Sequence, residues 1–288
     1  MTVDALATLH REAANTFPDN FVANRKSKGP FRSTELAAYH LLIKVINGDN
    51  AARRAKVAEQ WRRSQPRELN PPTEDPINIA NLPPGTFSID LPFTLQSDLL
   101  CKDDAQFHPL DNPLKKDRVH GYPEYWGPSW KGILRQAFLA GHEIKLDPEA
   151  TAQDLRLFGS PKNTHKDLRS GRLRFFTTRF DKIGFIVLHP SARTPKTPIP
   201  ILYETVPANT TGHFRLLYCP WDAVTPDPAE IESDAAILVA AIKDMFTLGV
   251  GAKSSAGFGA AFIQTPAIDT VGLPPAFAKN LSGWLVTP

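Results

Sequence analysis

Near the C-terminal end, Gly249-Val250-Gly251-Ala252-Lys253-Ser254-Ser255-Ala256-Gly257-Phe258-Gly259 packs four glycines, two hydroxyls, a cation and an aromatic ring into one short stretch. Glycine lets backbone amides approach an anionic chain closely, Lys253 supplies charge, and Phe258 offers a stacking or packing face. No glycine-lysine-serine/threonine triplet precedes a helix here, which excludes a Walker loop. The plain alternative is a flexible connector. So many small residues serve no packing purpose in a connector, which favours a phosphate cradle made by Gly249, Gly251, Lys253, Ser254, Ser255, Gly257, Phe258 and Gly259.

A second group is Gly127-Pro128-Ser129-Trp130-Lys131-Gly132-Ile133-Leu134-Arg135. Ser129 is placed to cap a helix, and Lys131 and Arg135 lie four apart on one face near its positive end. A phosphate-bearing chain across that end would meet amides and two cations; the alternative is that each cation is merely solvated. A third group is Asp111-Asn112-Pro113. A loop carboxylate can position a divalent ion or orient a ribose 2′-hydroxyl for in-line attack, with His108 and Lys115 nearby. Local chemistry alone favours Asp111 as an Asx-turn ahead of Pro113. Asp103 and Asp104 read as loop solvation. The eight histidines form no metal-spaced cluster, and no nucleophile elbow, dinucleotide fingerprint or kinase signature occurs.

These groups need elements to hold them. Phe87, Ile89, Leu91, Phe93 and Leu95 alternate as in a half-buried strand, with Pro92 requiring either a bulge or an unpartnered edge. Trp130, Ile133, Leu134, Ala137 and Phe138 form one face of a helix that ends near Gly141. Asp147-Pro148 starts a short helix that stops at Phe158-Gly159. Ile183, Phe185 and Val187 alternate, as do Phe214, Leu216 and Tyr218, and Pro190 to Gly212 projects between them. Asp227, Pro228 and Glu230 begin a capped helix, and Ala261, Phe262 and Ile263 form a last strand. The order strand, helix, two strands, helix, strand predicts an α+β, ferredoxin-like core of the kind whose sheet RNA-recognition modules use.

Upstream, residues 1–65 read as a helical extension whose basic run carries Arg53, Arg54, Lys56, Arg62 and Arg63, either a solvated face or a phosphate contact. A proline-rich connector over 66–85 leads to the main domain, 86–288. The chain has 288 residues, 27 of them proline, with 42% hydrophobic and 22% charged residues, an ordinary globular composition. The net charge of +3 permits nucleic-acid binding without arguing for it. Cys101 and Cys219 belong to no metal-spaced cluster and read as thiols of a reducing compartment. No run is long and apolar enough for a bilayer and Met1 to His10 lacks a signal pattern, so a cytoplasmic protein is expected.

Taken together, Gly249 to Gly259 resembles the C-terminal glycine-rich loop of the repeat-associated mysterious protein (RAMP) superfamily, and Gly127 to Arg135 resembles its first-helix motif. Pro128 and Trp130 depart from the family's glycine-serine-serine-leucine-lysine-glycine pattern; Ser129, Lys131, Gly132 and Arg135 keep it. Asp111-Asn112-Pro113 resembles a segment of type III CRISPR backbone subunits. Fainter likenesses are Leu157 to Ser160, Gly171 to Phe175 with Arg172 and Arg174, and Pro200 to Glu204. The resemblance runs from about Thr86 to Ile263.

It implies a subunit of a type III effector complex that binds CRISPR guide RNA, pairs with complementary target RNA and assembles with other subunits. Contacts would go to phosphate and sugar through Lys131, Arg135, Arg172, Arg174, Lys253 and the loop glycines, because a guide's spacer varies. Pro190 to Gly212 would be the thumb-like projection. Asp111 would cleave target RNA with a divalent cation such as magnesium. Two alternatives stand beside this reading: a non-catalytic structural or end-capping subunit, and a stand-alone repeat-RNA endonuclease with His120 or His142 as its base.

Overall fold

A computed structural model describes residues 59, 62–63, 69–103, 110, 112–141, 152–160, 168–188, 201–223, 225–263 and 269–273. Asp111, His108, His142 and most of the N-terminal extension lie outside the described residues. Of the extension's basic run, Arg62 and Arg63 are described, and both pair with Glu59, at 2.7 and 2.8 Å. The elements are β1 (Phe87–Leu95), β2 (Glu124–Tyr125), α1 (Gly127–Gly141), α2 (Ala152–Phe158), β3 (Leu173–Phe175), β4 (Thr178–Arg179), β5 (Gly184–Leu188) and β6 (Ile201–Thr205). They continue with β7 (Thr211–Tyr218), α3 (Pro228–Leu248), β8 (Ala261–Ile263) and β9 (Asp269–Val271). No described helix is long and apolar enough to cross a membrane.

The chain forms two compact units. The larger holds an antiparallel sheet in the order β3-β7-β1-β8, with β9 also paired to β1. Helix α1 falls between β1 and β3 in the chain, and α3 between β7 and β8. The alternation read in β1 is real: Phe87, Ile89, Leu91, Phe93 and Leu95 are fully buried. Register with β7 runs without interruption from Phe87↔Tyr218 to Thr94↔Thr211, so Pro92 makes no bulge. Leu95 exchanges backbone bonds with the segment entering β7, whereas Gln96 donates to Ala260 beside β8. Strand parity therefore turns Pro92 toward the β8–β9 edge, where β8 covers Phe93–Leu95 and β9 covers Ser88–Asp90. The missing amide falls in the gap between them.

The smaller unit contains the antiparallel pair β5–β6, in register from Gly184↔Thr205 to Leu188↔Ile201. This corrects the assignment of Ile183 to Val187 to the main sheet. That place is taken by β3, whose three residues are too few to show alternation in sequence. The hairpin's connecting segment, 189–200, lies outside the described residues.

One face of the main sheet carries an aromatic core. Trp130, fully buried, meets Phe93 at 5.8 Å, Phe214 at 5.0 Å, Tyr125 at 4.6 Å and Phe246 at 6.1 Å, centroid to centroid. Its indole N–H donates to Thr178 Oγ1 at 2.9 Å, giving the ring's one polar atom a partner. Helix α3 starts as its sequence predicts: the Asp227 carboxylate accepts from the Ala229 N–H at 3.0 Å and Pro228 opens the first turn.

On the other face, Arg215 pairs with Asp90 at 3.2 Å and with Glu74, while its Nη2 donates to the Asp75 carbonyl. Glu74 also meets Arg179 at 3.2 Å. The segment ahead of β1 thus closes over the middle of this face. His213 Nδ1 lies 2.9 Å from Asp90 Oδ1, and that hydrogen bond holds the imidazole above its ordinary range, with Arg215 opposing and Glu74 assisting. A raised histidine stabilises the fold below its unfolded pKa and loses that contribution as pH climbs through the folded value. Thermal unfolding should therefore show a stability loss as pH climbs above the ordinary histidine value of about 6.5 that His213→Gln reduces.

At the far end of the core sits a buried carboxylate. Asp234 accepts from Arg156 Nη2 at 2.6 Å and Nε at 3.0 Å, from Tyr218 Oη at 2.9 Å and from Gln153 at 3.2 Å. It is fully buried. Asp234→Ala leaves Arg156 without this partner and should cost about 3–5 kcal/mol of unfolding free energy in denaturant titration; a loss under about 1 kcal/mol would mean the network is dispensable.

Candidate nucleic-acid interface

Helix α1 begins at Gly127, three residues earlier than a cap at Ser129 would require. The Trp126 carbonyl accepts from the Ser129 and Trp130 N–H groups at 2.9 and 3.0 Å, so Ser129 sits exposed in the first turn. Gly127 is where the helix start meets β3: a Cβ there would lie 2.4 Å from the Phe175 carbonyl. Gly132 is different, because nothing lies within 4 Å of a Cβ built on it. Glycine inside a helix costs about 1 kcal/mol relative to alanine, and no packing against its neighbours accounts for it here.

Trp130 points inward, which turns Ser129, Lys131 and Gly132 away from the core. Lys131 is half-buried. Desolvation, then the neighbouring charges of Arg135 and Arg174, hold its ammonium below the ordinary lysine range, with Asp154 alone opposing. A cation disfavoured by two other cations gains from an added anion such as a phosphate. Arg135 is committed in part, its Nε donating to Asp154 Oδ1 at 2.8 Å and its Nη2 to Oδ2. Arg174 is half-buried, donating to the Gly171 carbonyl at 2.6 Å and to Ser170 Oγ at 3.1 Å.

Arg172 does not join them. It is 4% exposed and donates to Asp222 at 2.6 and 3.0 Å, to Glu230 at 2.5 Å and to Tyr218 Oη at 2.9 Å. The expectation of a phosphate contact gives way to an interior tie between β3, β7 and α3. The short segments around it are packed on each other: Gly159 bridges Ser170, and a Cβ on Gly171 would lie 2.4 Å from the Leu157 carbonyl.

The glycine-rich loop is anchored, contrary to the sequence expectation that its small residues have no packing purpose. The Val250 N–H donates to Gly259 O at 2.9 Å, the Gly259 N–H to Asp98 O at 3.0 Å, and the Ala252 N–H to Leu100 O at 2.8 Å. A Cβ on Gly251 would meet Leu99 Cδ1 at 2.5 Å, and one on Gly259 would fall 1.7 Å from Val250 O. Both glycines also have positive φ. Between these anchors Lys253 takes a left-handed conformation, φ 60°, and Ser254–Ala256 form one 3-10 turn. Lys253, Ser255 and Gly257 are exposed, with Ser254 and Phe258 half-buried. Gly249 ends α3 with φ 82°.

Tyr125 brings loop and helix together. Its ring packs edge-on against Trp130, and its hydroxyl lies beside the backbone of Gly251. Burial still pushes the phenol up to about 12. Sequence reasoning missed Tyr125 and its neighbour Trp126; the signal available was the density of rings from Tyr122 to Trp130 just ahead of a helix.

In the smaller unit, the residues following Asp111 are fixed to β6. The Glu204 N–H donates to Asn112 O at 3.1 Å, and the buried Glu204 carboxylate accepts from the Leu114 N–H at 2.9 Å. Among the described residues, no three His, Cys, Asp or Glu side chains are grouped to hold a metal ion. His120, in the larger unit, is exposed, bonded to Asp117 at 3.1 Å and stacked on Tyr122 at 5.5 Å.

Residues 73–262 match the sequence model of the RAMP superfamily. No curated protein matches the chain. A chain in the cryo-EM structure of the Type III-B Cmr-beta bound to cognate target RNA is similar in fold, with TM-score 0.51 and 13% identity over 93% of this chain and 91% of that one. A chain of a Type IV-B CRISPR complex has TM-score 0.41 and 18% identity, over 70% of this chain and 95% of that one.

The loop's anchoring makes two glycines unequal. Gly257→Ala meets open space and should cost about 1–2 kcal/mol through its left-handed backbone alone. Gly259→Ala must displace Val250 and should lower the thermal midpoint further; equal midpoints for the two variants would contradict the anchored loop.

Proposed function

Since the chain belongs to the RAMP superfamily, we propose that it is a guide-RNA-binding subunit of a type III CRISPR effector complex, working in the cytoplasm beside other subunits. The observation that carries this reading is the junction made by Tyr125: an electropositive, half-buried Lys131 on the first turns of α1, held next to an anchored loop that exposes Lys253. The sheet order β3-β7-β1-β8, with α1 and α3 in the intervening connections, supports reading the core as ferredoxin-like. The hairpin β5–β6 is then the base of the thumb-like projection.

In this reading the guide's phosphates lie across the start of α1, near Lys131, with Arg135 and Arg174 raising the local potential. Lys253 and the exposed backbone of the 3-10 turn meet the next part of the strand. None of these groups reads a base edge, as a variable spacer demands. Target RNA pairs with the guide, as the similar III-B structure is bound to cognate target RNA. Asp111 would supply a carboxylate to hold a divalent cation such as magnesium, whose charge would stabilise in-line attack of a ribose 2′-hydroxyl on the adjacent phosphate as the 5′-oxygen leaves. Glu204 fixes the backbone that follows it.

Lys131→Ala should weaken binding of single-stranded RNA and lower its salt dependence by about one counterion, read as the slope of log affinity against log salt. An unchanged slope would remove Lys131 from the phosphate path. In the assembled complex with guide, target and magnesium, Asp111→Ala should abolish at least one cut while leaving both RNAs bound. An unaltered cleavage pattern would make the chain a structural or capping subunit.

A further inference from the structure

Trp126 is 41% exposed, although its surroundings hold it firmly. Its carbonyl caps the first turn of α1, and its indole N–H donates to Glu124 Oε2 at 3.0 Å. Glu124 is itself 8% exposed and pairs with Arg179 at 3.4 Å, so the acceptor that orients the ring is fixed in turn. The Lys115 ammonium sits 3.9 Å from the centre of the indole ring. A large aromatic surface is therefore left open to solvent in one orientation, with a cation on one face and Lys131 five residues onward in the chain.

Stacking on an aromatic is tolerant of base identity, because every nucleobase has a π-face. A rigid ring loses little conformational entropy when something covers it. The Glu124 carboxylate beside the ring is buried and paired with Arg179, while the Lys115 ammonium lies over the ring itself; an apolar protein partner would have to desolvate that ammonium, whereas a nucleic acid brings a phosphate to it. Resting on the guide-binding reading above, we propose that Trp126 is a stacking platform for one nucleobase of a single-stranded RNA held at the start of α1. Its role would be to hold the strand in place without reading its sequence.

The test compares two labelled oligomers of about 12 nucleotides, an oligouridine and the same ribose-phosphate chain without bases, binding to the full-length protein. Wild type should prefer the oligouridine. Trp126→Ala should reduce oligouridine affinity by about 5- to 150-fold, the range expected for one stacked base, and leave the abasic oligomer unaffected. Trp126→Phe keeps a ring without the Glu124 bond and should retain most of the preference, which separates stacking from loss of fold. If Trp126→Ala keeps the full preference for bases, the platform is overturned while guide binding stands. If Trp126→Ala keeps that preference but no longer assembles with the other subunits, the ring is a protein contact and the proposal fails. If wild type binds neither oligomer, the guide-binding reading falls and takes the platform with it.

Discussion

The position of Trp130 is the constraint on which the site depends. One indole touches β1 through Phe93, β7 through Phe214, α3 through Phe246 and β2 through Tyr125, and its N–H is anchored on Thr178 of β4. A fully buried tryptophan removes roughly 150–250 Å² from water, so little freedom remains in how α1 is rotated about its axis. That rotation decides which residues of the helix start face outward. Polar and small residues at 129, 131 and 132 face outward because Trp130 cannot.

Charge is handled in two ways. Where arginines are buried or nearly so, each meets at least one carboxylate: Arg172 meets Asp222 and Glu230, Arg156 meets Asp234 and Glu230, and Arg215 meets Glu74 and Asp90. Unpaired, a buried charge would cost several kcal/mol. Around Lys131 the accounting is looser, with Arg135 and Arg174 against Asp154. This difference in compensation, rather than the modest overall charge, separates the arginines that build the fold from the cations around Lys131.

Much of this was legible in the sequence where a periodic signal was long enough. Nine residues of β1 and the apolar faces of α1 and α3 declare their elements, and Asp227-Pro228 fixes a helix start. The sheet's edge was not legible, because β3 is three residues long and the better alternating segment, Phe185 to Val187, pairs with β6 instead. The site was half legible. Residue types marked Lys131 and the glycine-rich loop, but nothing in the local spacing around Arg172 says that Asp222 and Glu230 will enclose it. The same spacing that puts Ser129 ahead of a lysine also suits a cap, and only the Trp126 carbonyl decides where the helix begins. Trp130 looked like a departure from a motif; in the fold it is the residue the motif is built around.

Glu74 has a mechanical meaning. It lies ahead of the first strand, yet one carboxylate is shared between Arg179 on β4 and Arg215 on β7. Strand β4 carries β2, and β2 carries both Glu124 and Tyr125. Sliding the β2–β4 pair along the main sheet would have to break at least one of these two ion pairs. The proline-rich stretch therefore acts as a clasp, resisting shear between the sheet and the small ladder that carries the ring-bearing edge.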